Sequence, residues 1–489
     1  MRRVALPLVA AGLLGGCASV NPQPAFVDVQ QKVNERTGHE PRWQRTAHEA
    51  EASAATVREL LGEELTAERA AQVALVNNRG LQATLQEIGI SQADYAQATR
   101  VSNPDLHTFV RFPDREPNGT NVEVSLFQDF LDVLVQPLRK KLGAAQLEQT
   151  KLRVGDAMVR LMAETKAAHY TLVAGQQLVT RLELIRDLNQ AAAEFARRQH
   201  EAGNINDLEL LNHEAAHNQS KVDVALAQVE VRRGRERLNR LMGLWGPHTA
   251  WKAEARLPEI PAQEIPFEHL ESLAVRQRLD LGAGRWGVDL VGRALALKNQ
   301  TRYFPIGVQV GVQHEKDTDG QRVTGPSLEL QLPIFDTGKA QVARLQAEYL
   351  RTQRQLEALA VNTRSEVREA RDSMIAARDL AAYYRAVLLP QRFAILDETQ
   401  RHYNMMLKGA YDLLLAKQAE VQAEKAYIDA WRDYWIARTE LERAVGGRLP
   451  APDNTTGEAG LTGPVGQEGP APAPGAATGT KHVHGGPER

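Results

Sequence analysis

Cysteine is nearly missing from this chain: Cys17 is the only one in 489 residues. An internal disulfide is therefore excluded, and so is a zinc site built from cysteines. Aromatic residues are scarce, at 5%, which disfavours a dense enzyme-like core. Neither charge sign prevails. With 59 Lys and Arg against 61 Asp and Glu, nothing draws the chain to nucleic acid. Beyond the N-terminus there is no unbroken apolar run of about 18 residues, so no transmembrane helix is expected there. Strands in a closed barrel are the remaining way for this chain to cross a bilayer. What is plentiful is Ala, Leu, Gln, Glu and Arg, a bias that suits long helices.

The first residues read as a targeting segment. Arg2 and Arg3 precede an apolar run from Val4 to Leu14, broken by Pro7, and Gly15 and Gly16 lead into Cys17. The run is too short to span a bilayer. In this order, the features resemble a bacterial lipobox. That resemblance implies a signal peptide over 1–16, cleaved before Cys17, and a covalent lipid such as palmitate on that cysteine. An ordinary secretory signal with an incidental cysteine is the plainer alternative. Ala18 stands where Asp would oppose outer-membrane sorting, so the lipoprotein reading points to the outer membrane.

Residues 17–60, the lipid-anchored segment, are polar and mixed, and are expected to form a loop and a short helix. A first repeat spans 61–246. It begins with one helix from Thr66 to about Asn103–Pro104, where proline disfavours continuation. The period then changes. Leu106, Thr108, Val110 and Phe112 alternate with His107, Phe109 and Arg111, and Val122, Val124 and Leu126 alternate with Glu123 and Ser125. A β-hairpin at about 104–130 follows from this alternation. A long helix is expected from about Pro137 to His200, on the order of 95 Å at about 1.5 Å per residue. Leu178, Leu182, Ile185, Leu188, Ala192 and Phe195 give it a coiled-coil-like seam. "EAGNIND" breaks it, and a return helix from Asp207 to about Met242 carries Leu208, Leu211, Ala215, Val222, Leu226 and Val229.

After a Pro-rich connector at 247–266, the plan recurs over 267–447. A helix at about 267–302 is followed by a hairpin at about 304–335, a helix from Lys339 to about Met406, a break at "LKGAYD" and a helix to about Val445. Pro104 matches Pro305, Asp132 matches Asp336, Asp207 matches Asp412, and "LNRLMG" at 238–243 matches "LERAVG" at 441–446, with offsets of 201, 204, 205 and 203. Such constancy argues for duplication. The tail, 448–489, is rich in Gly, Pro, Ala and Thr and is expected to be disordered.

The hairpins carry an apolar face opposite Gln, Gly, Glu and Arg, and no helix is left over to cover it. Lipid outside and water inside would satisfy both faces. Four strands do not close a barrel, so several chains would have to contribute. At this point residues of about 60–447, with "SNPDL", "ELQLPIFDTGKA" and "LLLAKQAEVQAEKAYIDAWRDYW", resemble the TolC family of outer-membrane efflux proteins, in its lipoprotein-bearing subgroup. The resemblance implies a mainly α fold with membrane β-barrel strands: a homotrimer in which each chain gives four strands to a twelve-stranded barrel and helix pairs to an α-barrel tunnel. It further implies a passive duct rather than an enzyme, no cofactor beyond the lipid, and, as partners, a periplasmic adaptor, an inner-membrane pump and outer-membrane lipid.

By the same resemblance, the turns at 200–211 and 403–415 form a periplasmic gate. Asp207 and Asp412 take the places of inward acidic residues, and Tyr403 and Lys408 those of closing contacts. Leu210 and Leu415 stand where some relatives have a second Asp, so the acidic ring is thinner. Helix N-capping by Asp207 and Asp412 is the plainer alternative.

Two patterns suggest metal chemistry. "HEAAH" at 213–217 fits the zinc-protease signature, with His213 and His217 one helical turn apart and Glu214 as base. Repeat two has no counterpart, and Glu230 and Glu236 lie about 20 Å or more along the same helix. His213 and His217 are expected to point away from the seam. In "KHVH", His482 and His484 form a weak metal pair in a tail. Met405 and Met406 read as packing residues rather than copper ligands. The leading reading is the efflux duct, carrying metal ions or drugs. A periplasmic coiled-coil scaffold or adaptor lipoprotein is the alternative, and a zinc hydrolase a remote one.

Overall fold

The computed structural model describes residues 20–114, 119–261, 269–302, 306–331 and 334–449. Cys17, His482 and His484 lie outside them, as does most of the tail. The described residues form one compact unit.

The N-terminal segment is more ordered than its composition suggests. It folds into α1 (Gln23–Thr37) and α2 (Ala47–Leu61). A capping box, Thr46 with Glu49, starts α2. Phe26, Val29 and Val33 of α1 are buried with Trp43, and a loop and a short helix do not describe this segment. The expected single helix after Thr66 is two, α3 (Ala67–Asn77) and α4 (Arg79–Ala98), because Asn78 is extended and caps α4 through its side chain. β1 (Asp105–Arg111) and β2 (Asn121–Asp129) form the first hairpin. α5 (Phe130–Glu201) runs 72 residues, about 108 Å, starting seven residues before Pro137. The carbonyl that Pro137 leaves bare is in the first turns, where Arg139 also donates to Asp132 O, and the helix continues. α6 (Asp207–Met242) returns along it.

Repeat two follows the same order. α7 (Leu270–Gln277) and α8 (Leu279–Thr301) are broken at Arg278, as α3 and α4 are at Asn78. The two breaks do the same work. Asn78 Nδ2 donates to Leu241 O at 2.8 Å, and Arg278 Nη1 lies 3.5 Å from Ala444 O, the matching carbonyl of the other return helix. β3 (Ile306–Lys316) and β4 (Arg322–Gln331) precede α9 (Lys339–Tyr383), a π-turn (Tyr384–Leu388), α10 (Leu389–Asn404) and α11 (Ala410–Val445). α6 and α11 are both 36 residues long and end on left-handed glycines, Gly243 and Gly446. A Cβ on Gly243 would meet Asn77 O at 2.5 Å, so that turn requires glycine.

The π-turn marks one extra residue in repeat two. Ala168 and Leu172 pack as Ala370 and Met374 do, 202 positions on. Past the turn the offset is 203, from Glu201 to Asn404 and from Gly243 to Gly446. Leu389 N–H donates to Tyr384 O, five residues back, and Pro390 follows directly. The widened turn takes in the added residue just where proline lacks an N–H.

One antiparallel sheet, in the order β1-β2-β3-β4, joins the two hairpins. Paired residues share a face. Leu106, Leu126, Val312 and Pro326 line up across all four strands, and Gln128, Val310 and Leu328 form another apolar-rich row. The opposite face carries His107, Ser125 and Gln313, then Phe109, Glu123 and Glu315. There Gln313 donates to Glu123 at 2.6 Å, and Asn121 to Glu315 at 2.6 Å. Leu106, Val110, Leu126, Val312 and Leu328 are exposed, so nothing among the described residues covers the apolar face. No helix among the described residues is long and apolar enough to cross a membrane.

The helical seams need correction. Along α5, Leu182, Ile185 and Leu188 are only half buried, and Phe195 is exposed. Leu208, Leu211, Val222 and Leu226 of α6 are exposed too, whereas Ser220 and Val224 are buried. The α6 seam therefore faces out of the chain and not onto α5.

Candidate functional site

At the end of α5 and α6 remote from the sheet, the two helix-to-helix turns come together. Gln418 of α11 donates to Asn189 Oδ1 of α5 at 3.2 Å, and the rings of His213 and Tyr411 meet edge-on at 5.8 Å. A groove of about 510 Å³ lies beside them, lined by Leu188 and Ala192 of α5, Phe393 and Leu396 of α10, and Leu413 and Leu414 of α11.

Both turns close in the same way. Gly203 N–H donates to His200 O and Asn204 N–H to Gln199 O; Met406 N–H donates to Tyr403 O and Leu407 N–H to His402 O. This C-terminal motif places one residue in the left-handed region. In repeat one that residue is Gly203, at φ 73°; in repeat two it is Met406, at φ 59°. Met406 is 93% exposed, and its neighbours Met405 and Leu407 are exposed as well. These methionines do not pack against the chain, contrary to the sequence expectation.

The acidic residues are arranged differently from the sequence alignment. Neither Asp207 nor Asp412 is the N-cap. Asn206 caps α6, accepting from Glu209 N–H at 2.9 Å, and Gly409 occupies the corresponding place before α11. Asp207 is the first residue of α6 and sits 2.6 Å from His200 Nε2. Asp412 is the third residue of its helix, accepts from Gly409 N–H at 3.1 Å and lies 3.5 Å from Lys408 Nζ. Its counterpart is thus Glu209 and not Asp207. Counting back from Gly243 and Gly446, the paired ends of the return helices, gives this match from sequence alone. Carboxylates in the first turn suit the positive end of the helix dipole. All four residues of the expected gate, Asp207, Tyr403, Lys408 and Asp412, lie in these turns, together with Glu209, which the sequence reading overlooked.

"HEAAH" does not assemble a zinc site. His213 faces Tyr411, His217 turns its Nδ1 into a buried position, and Glu214 is bound by Arg197 at 2.8 Å. The two histidines face inward, not away as expected. No group of three metal-capable side chains is found among the described residues.

No protein-family model matches the sequence. The chain is 22% identical over 398 residues to the cobalt-zinc-cadmium resistance protein CzcC of Cupriavidus metallidurans, covering 78% of this chain and 90% of that protein. Its structure resembles the CmeC outer membrane channel of Campylobacter jejuni, with a TM-score of 0.68 at 14% identity, over 78% of this chain and 85% of the other. The open-state MtrE outer membrane channel of Neisseria gonorrhoeae gives a TM-score of 0.63 at 16% identity, over 78% and 88%. A two-faced sheet at one end and paired helical turns at the other are thus laid out on a backbone that these outer membrane channels share.

Proposed function

We propose that this chain, which has the fold of outer-membrane channels, is one protomer of a homotrimeric efflux duct. The observation that carries this reading is the four-stranded sheet, apolar and uncovered on one face, polar on the other, with β1 and β4 as free edges. Three copies joined edge to edge give a twelve-stranded barrel with lipid outside and water inside, and remove every edge. The outward α6 seam supports the same assembly, since its apolar residues are left exposed within the chain.

The duct acts without a catalytic step. Solute delivered by an inner-membrane pump and periplasmic adaptor passes between the helices and leaves through the barrel. The likeness to a cobalt-zinc-cadmium resistance protein favours divalent metal ions as cargo. Asp207, Glu209 and Asp412 contribute nine carboxylates at the periplasmic mouth of a trimer and concentrate cations there. Lys408 steadies the second turn through Asp412, and within that turn the Tyr403 carbonyl accepts from Met406 N–H. A lipid on Cys17 would tether the chain to the membrane that its strands enter.

The test is planar-bilayer recording on the purified protein. Asp207→Asn, Glu209→Gln and Asp412→Asn together are expected to lower the cation-to-anion permeability ratio severalfold. Unchanged conductance and selectivity would remove the gate assignment. A protein that never forms trimers or channels would remove the duct itself.

A further inference from the structure

We propose that the first three turns of α5 form a phospholipid-headgroup site, with acyl chains against Phe130, Val133 and Leu134 and anionic phosphate held by Lys140 and Lys141. This rests on the outer-membrane reading above.

The chain enters α5 straight from β2, so the face of the sheet continues onto the helix. Residues 122, 124, 126 and 128 point to the apolar side, and Phe130 keeps that parity. From Phe130, helical spacing puts Val133, Leu134, Pro137, Lys140 and Lys141 on one stripe, at intervals of three or four residues. The opposite side is occupied within the chain. Asp132 accepts from Ser102 N–H at 2.9 Å, Gln136 donates to Thr99 O at 2.6 Å, and Arg139 pairs with Asp132. The stripe is therefore turned away from α4 and left open: Phe130 is 49% and Leu134 55% exposed.

The stripe also has an order. Apolar side chains come first, next to the sheet, and the cations come about 15 Å further along. Lys140 and Lys141 are exposed, with no hydrogen-bond or ion-pair partner among the described residues. Arg139 beside them is already taken by Asp132. The other hairpin repeats the order: Ile334 and Phe335 are largely or fully exposed beyond β4, and exposed Lys339 opens α9. An apolar belt followed by unpaired lysines matches a bilayer leaflet read from acyl chain to phosphate. A neighbouring protomer would not need cations at that depth.

Two measurements test this on the full-length protein in nanodiscs. Phe130→Trp should gain a fluorescence component that brominated acyl chains quench, while Leu350→Trp, exposed further along α9, should not. Lys140→Gln with Lys141→Gln should weaken binding of phosphatidylglycerol, followed by native mass spectrometry, by about fivefold for each lysine removed. Binding unchanged in the double variant, or no bromolipid quenching of the indole introduced by Phe130→Trp, would overturn the proposal. Wild-type protein that fails to insert into the discs would instead overturn the duct reading.

Discussion

At the scale of single residues, His169 shows what burial does to a titratable group. It lies wholly inside α5, its Nε2 donating to Leu65 O at 2.6 Å, and its Nδ1 has no partner. Burial holds its pKa below the ordinary value, with the bond to Leu65 only partly offsetting this. The folded chain thus keeps it neutral at a pH where the unfolded chain takes up a proton. Above about pH 6.5 the group has little effect on stability; as the pH falls below that, stability declines. His169→Gln keeps a donor for Leu65 and removes the titration. Its thermal midpoint should drop less than that of wild type between pH 7.5 and 5.5, and a parallel drop would refute this origin. Met406 is a second case, a bulky residue in a conformation that repeat one gives to Gly203. Met406→Gly should slow amide exchange at 405–407, by the equivalent of about 1 kcal/mol. Faster exchange would show that the turn is held by contacts and not strained. No sequence pattern announces either residue. A histidine in a helix looks the same buried or exposed, and the left-handed Met406 emerges only when the two turns are superposed.

At the scale of elements, legibility depended on which force sets the boundary. Strand alternation is local, and both hairpins were legible to within a few residues. The breaks at Asn78 and Arg278 were not, because helical periodicity runs through them and the cause lies in distant carbonyls at Leu241 and Ala444. The seam of α6 was read correctly as apolar and wrongly as internal. Periodicity reports which face wants covering, not which chain covers it. The π-turn invites a direct test. Deleting Ala386 together with Pro390→Ala should return Tyr383–Asn404 to a continuous α-helix and leave the facing of α10 as it is, since the wide turn already absorbs the added residue. Phe393 and Leu396 should then stay in the groove shared with α11, and channel conductance should be retained. Conductance lost while α9 stays folded would show that the turn does more than absorb that residue.

At the scale of the whole molecule, the chain is half-finished by itself. Its sheet has two open edges and an uncovered apolar face, and a helical seam points outward. In the proposed trimer, assembly and membrane insertion would cover the same surfaces, and a lipid on Cys17 would aid them without being their source. Cys17→Ala behind a cleavable signal should still give membrane trimers, in lower yield. Complete loss of trimers would make the anchor essential. The candidate gate was legible in part: the turns were found, but the match of Asp412 to Glu209 required the helix ends. That offset carries one more implication. A residue present in one copy and missing in the other changed after the copies had parted. The length difference at the π-turn, gained by one half or lost by the other, is therefore younger than the duplication that the matching halves argue for.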